Sequence, residues 1–181
     1  MKDELLELLY RLGRGRIEPA VLRALTEEVA EACADPRGWL RWHETSGWHE
    51  RFAAPLWQWV LCRGLPAEVL LRGDTLEALY ESLIGGLDEE SAGALMLSVD
   101  EVAGFADPVV ALQAVQDELE GLGHAGGYSL LDFGPDLGEP LQLVLVHSVE
   151  LPRVLDLCSA LGIPAAPSCQ ALRDAIRLGG R

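Results

Sequence analysis

Apolar residues recur every three or four positions through roughly the first 85 residues and then give way to short apolar runs set between helix-like segments. Leu5, Leu6, Leu8, Leu9 and Leu12 predict a helix that stops at Gly13, and Val21, Leu22, Leu25, Val29, Ala32 and Cys33 mark the apolar face of a second. Pro19 suits the first turn of that helix, where its missing N–H is not needed, and Asp35-Pro36 ends it. A third helix is expected over 48–62, with Pro55 either kinking it or moving its start to that proline. Asp74 is read as the cap of a fourth, whose Leu76, Leu79, Tyr80 and Leu83 share a face and which Gly85-Gly86 terminates. The pattern leaves open how far helix extends through 66–72.

Past residue 92 the run 94–99, Ala-Leu-Met-Leu-Ser-Val, predicts a buried strand. Asp107-Pro108 then opens a helix with Leu112, Val115, Leu119 and Leu122 on one face, closed by Gly121 or Gly123. Strands are expected over 128–133 and 141–147, joined by a hairpin tip rich in Gly and Pro. Ser148 is read as the cap of a helix that turns Leu151, Val154, Leu155, Cys158 and Leu161 inward and stops at Gly162; a short helix near 168–178 follows. The fold class predicted is α+β: a helical part over 1–86, a small β-α-β-β-α sheet unit within 92–163, and a C-terminal helix and tail over 164–181, in one compact unit. Helices are expected on one face of a mostly antiparallel or mixed sheet, with the N-terminal helices capping it or lying beside it.

Charge changes this picture. The chain of 181 residues carries a net charge of −15, yet between Arg72 and Arg153 there is no Lys or Arg, and that window holds sixteen of the 29 carboxylates. With 49% hydrophobic residues the chain can fold, so the charge decorates a folded body. Such a field repels phosphate backbones and attracts cationic surfaces, and a single Lys argues against nucleic-acid binding. Short apolar runs and an acidic N-terminus predict no membrane span, no export leader and a cytoplasmic location. From the acidic block, Asp88, Glu89, Glu90, Asp117, Glu118 and Glu120 are candidate contacts for a basic protein partner.

All five tryptophans, Trp39, Trp42, Trp48, Trp57 and Trp59, fall within 39–59. They read either as a docking or self-association surface, which would make the protein a homo-oligomer, or as the filling between the helical part and the sheet. The same stretch repeats Trp-His-Glu, which offers His43, Glu44, His49 and Glu50 as metal ligands for a metal-dependent or small-molecule enzyme. Histidines six apart on a straight helix diverge, so polar residues rimming an aromatic cluster are the simpler reading.

Arg11, Arg14 and Arg16, set around two glycines, suit either an anion or, more simply, the acidic block of the same chain or of a neighbour. Asp132, Asp136 and Glu139 at the hairpin tip suit a hard cation or merely a turn. His124 and the neighbours His147 and Ser148 form no nucleophile-base pair, because adjacent strand residues point to opposite faces. Cys33, Cys62, Cys158 and Cys169 lack the spacing of a metal or redox motif and read as reduced, with Cys33 and Cys158 on apolar helix faces. No cofactor motif is present. The expectation is a binding protein without catalytic activity, of the inhibitor, immunity or adaptor kind, using its acidic surface.

Overall fold

The computed structural model describes residues 1–44, 47–48, 54–122, 126–135, 137 and 141–179, the last four without their side chains. Its helices are α1 (Lys2–Gly13), α2 (Pro19–Ala34), α3 (Pro36–Trp42), α4 (Leu56–Gly64), α5 (Leu76–Gly86), α6 (Glu89–Gly93), α7 (Val99–Ala103), α8 (Pro108–Glu120), α9 (Leu151–Leu161) and α10 (Ser168–Gly179). Strands β1 (Leu70–Gly73), β2 (Tyr128–Phe133), β3 (Leu141–His147) and β4 (Ala165–Pro167) form one antiparallel sheet in the order β1-β3-β2-β4. The α+β class is as the sequence predicts.

Strand alternation sorts the sheet into two cores. Leu70, Leu131, Phe133, Val144 and Val146 face α1, α2, α4 and α9. Leu71, Tyr128, Leu130, Leu143 and Leu145 face α5, α7 and α8. The result is a sheet with helices on both faces, where helices on one face were expected. Period-two alternation explains it: every second residue turns over, and here both sets are apolar. Leu5, Leu8, Leu9 and Leu12 of α1 are fully buried, each worth about 1.5–3 kcal/mol of transfer free energy.

One predicted element needs correction, and two stretches left open are resolved. The run 94–99 is not a strand: Met96 is 86% exposed, and the Glu118 carboxylate accepts the Met96 and Leu97 N–H groups at 3.0–3.2 Å where a neighbouring strand would have done so. The first strand is instead β1, inside the stretch whose pattern was ambiguous. The helix expected over 48–62 begins at Leu56, directly after Pro55, which is the second of the two expected alternatives, and a separate α3, not expected, precedes it because Asp35 caps that helix through the Gly38 N–H at 2.9 Å. Smaller shifts follow the same logic. Thr75, not Asp74, caps α5, and α9 begins at Leu151 after a short 3-10 turn over Ser148–Glu150. Cys33 is only half-buried, whereas Cys158 is fully so.

Glycine is required where α8 meets β2. Gly127 has φ 75°, and a Cβ there would lie 2.4 Å from the Leu119 and Glu120 carbonyl oxygens. That close approach seats the C-terminal end of α8 against the strand.

Candidate functional site

Helices α5 to α8 and their connections, residues 74–122, carry twelve Asp and Glu side chains and no Lys or Arg. All four pack on the same face of the sheet or against the core there. Eleven of those twelve acids are exposed, Glu118 alone being half-buried. None forms an ion pair with a described Lys or Arg.

What these acids do touch is neutral. Asp88 accepts the Ser91 N–H and hydroxyl, both at 2.8 Å, which hold its carboxyl below the usual carboxylate range. Glu101 and Ser98 cap α7 reciprocally, and the Ser98 backbone and hydroxyl donors depress Glu101 in the same way. Asp117 and Glu120 accept from Gln113 and Gln116, one turn earlier on α8, at 2.8 and 3.0 Å. Neutral donors stabilise a carboxylate without cancelling its charge, so the layer keeps its negative field. Of the candidate contacts, Asp88, Glu89, Glu90, Asp117 and Glu120 reach solvent, while Glu118 is committed to the 96–97 backbone.

The tryptophans belong mostly to the opposite layer. Trp39 and Trp59 are buried and meet edge to face at 6.3 Å, while Trp48 and Trp57 pack partly against the same core. Trp42 is 86% exposed at the end of α3. The His43 ring lies flat on Trp39, centroids 3.9 Å apart, with Nδ1 2.8 Å from the Trp39 carbonyl oxygen. Glu44 is exposed; His49 and Glu50 lie outside the described residues. Among the described residues no three of His, Cys, Asp and Glu converge as a metal site would require.

A groove of about 610 Å3 runs between α1 and the end of β3, with Leu6, Tyr10, Arg11, Arg14, His147 and Glu150 in its walls. Its charges are largely matched. Glu7 accepts from Arg11 at 2.9 Å and from Arg153 at 2.6 Å, and Arg11 also donates to Glu150 at 3.1 Å. Arg153 first, then Arg11, pull the Glu7 carboxyl down to about 2. His147 stacks on Tyr128 at 4.9 Å, whereas the Ser148 hydroxyl meets that of Ser129 at 2.9 Å. Adjacent in sequence, His147 and Ser148 thus serve different neighbours, and no nucleophile-base pair forms there. Burial pushes the Cys158 thiol up to about 12 and raises Cys169, so neither of these two is activated.

Two of the three turn arginines depart from expectation. Arg11 meets Glu150 of the acidic block, but Arg14 and Arg16 donate to backbone carbonyls. Asp132 of the hairpin is exposed; Asp136, Glu139 and His124 lie outside the described residues. No family model matches the chain, and no curated protein or solved structure shows significant similarity to it. The Tyr128–His147 stack and the Glu7–Arg153 pair were not foreseen, since the first joins two strands and the second two helices that meet only once the sheet has formed.

Proposed function

We propose that the protein is a binding domain that docks a basic protein partner on its α5–α8 layer. The supporting observation is the twelve acids of residues 74–122, eleven of them solvent-exposed and without a Lys or Arg among them. Exposed, like-charged side chains on one layer repel each other and gain by accepting a cationic surface, which also speeds encounter. Among the described residues, Glu7, Arg11 and Glu150 of the groove by α1 are held in ion pairs and His43 is stacked on Trp39, so neither place favours catalysis over this reading.

The test is affinity capture from cell extract in about 20 mM and about 300 mM salt, where screening lengths differ severalfold. It compares the protein with a variant carrying Glu89→Gln, Glu90→Gln, Asp117→Asn and Glu120→Gln. A basic protein held at low salt, lost at high salt and lost on the variant is the expected outcome. Capture that is absent, or that the four substitutions leave unchanged, refutes the reading.

A further inference from the structure

Arg14 and Arg16 stand out in a chain with twice as many acids as bases. Arg14 Nη2 donates to the carbonyl oxygens of Gly86 at 3.1 Å and Glu68 at 3.3 Å, and Arg16 Nη1 donates to the same Gly86 oxygen. Neither guanidinium has a carboxylate partner within ion-pair distance among the described residues. Arg11, three residues earlier, has two. The Gly86 carbonyl ends α5, so two guanidiniums there favour the negative pole of that helix. That pole amounts to about half a charge, however, and two whole charges face it.

Arg14 is also poorly hydrated. Its guanidinium lies 5.8 Å from the Tyr128 ring centroid, and its Nε–H is buried with no acceptor. Burial first, and Arg16 second, lower its proton affinity, and the opposing influence of Tyr128 and Asp88 does not reverse the shift. The backbone fixes this placement: Gly13 closes α1, Arg14 takes the left-handed conformation at φ 49°, and Gly15 continues it at φ 72°. Beside the two arginines opens a groove of about 380 Å3 whose apolar walls include Ile17, Val21 and Val69; Glu18 and Glu68 also line it, and neither forms an ion pair with Arg14 or Arg16. Its volume exceeds what a bare ion would fill and falls in the range of small-molecule sites.

We infer that this turn binds the oxyanion group of a small organic molecule, a carboxylate or a phosphate, between Arg14 and Arg16, with its apolar part along Ile17, Val21 and Val69. Planar guanidiniums suit both anions through paired N–H donors. The site lies at the α1–α2 turn and does not depend on the acidic layer binding a protein.

The experiment is an NMR titration of the arginine Nε–H signals with inorganic phosphate and, separately, with hexanoate, each against chloride at equal ionic strength. Saturable shifts of the Arg14 and Arg16 signals with at least one of the two, in the millimolar range, are expected. Phosphate alone would assign a phosphate ester, hexanoate alone an organic acid, and both a general oxyanion site. Affinity should fall at least tenfold in Arg16→Gln and be largely kept in Arg16→Lys. Arg16 is exposed, so both variants are expected to fold, and their amide spectra check this in the same experiment. Saturation by neither anion, shifts reproduced by chloride, or unchanged binding in folded Arg16→Gln would overturn the site.

Discussion

At the residue scale, Glu7 shows how a single carboxylate ties distant parts of the chain together. It receives Arg11 from its own helix and Arg153 from the start of α9, and both arginines depress it from 4.5 to about 2. A carboxyl depressed in the folded state stabilises the fold above its unfolded value, and that contribution disappears as pH falls from about 4.5 through about 2. The stability difference between the protein and its Glu7→Gln variant should therefore be constant from neutral pH to about pH 5 and shrink below it. Urea denaturation at a series of pH values measures this, and a difference that does not change with pH would refute the pairing. Added salt should reduce it, because the pair is partly exposed. Sequence reading placed Arg11 against the acidic block but had no means of finding Arg153. Helix spacing exposes partners three or four residues apart, not those joined through a sheet.

At the element scale, most helices were legible because an apolar stripe is a local pattern. The stops at Gly13 and Gly162 match left-handed caps at Arg14 and Gly162 itself. The strands were harder. β1 is a short run buried on both faces and bounded by Pro66 and Gly73, a pattern that periodicity cannot tell from helix. The 94–99 run misled because it is a short apolar run bounded by small and charged residues, yet Ser98 and Glu101 form a capping box that starts a helix there. That signature was present in the sequence and outweighs the apolar run, since it satisfies two backbone donors at once. The extended piece before it depends on Glu118. Glu118→Ala should cost about 1–2 kcal/mol by leaving the Met96 and Leu97 N–H groups without their acceptor. Hydrogen exchange should quicken about 5- to 30-fold at those two amides, with β2 and β3 little affected. Uniform acceleration across the sheet, or none at 96 and 97, would contradict the role given to this carboxylate.

At the scale of the whole molecule, the sheet separates two kinds of surface. One layer, α1 to α4 and their turns with α9, holds the buried tryptophans and most of the arginines; on the other face α5 to α8 are acidic and carry no Lys or Arg, while α10 packs beside α8 and sets Arg173 on Gln113. Composition announced the charge imbalance, since the block free of Lys and Arg is contiguous in sequence. Topology turned that block into a single face, because the crossover from β1 to β2 lies on one side of the sheet. The tryptophans illustrate the converse: their crowding was obvious in sequence, while their burial depended on how α2, α3 and α4 pack. No described helix is long and apolar enough to cross a membrane. The segregated field can be read directly, residue by residue, from the enhanced relaxation of amide protons by a cationic and an anionic nitroxide of the same size. The cationic probe is expected to accumulate over α5 to α8, and the anionic probe to be enriched on the opposite layer, around exposed arginines such as Arg16, Arg23, Arg37 and Arg41. Equal effects of the two probes over α5 to α8, or a negative potential spread evenly over both layers, would contradict the account.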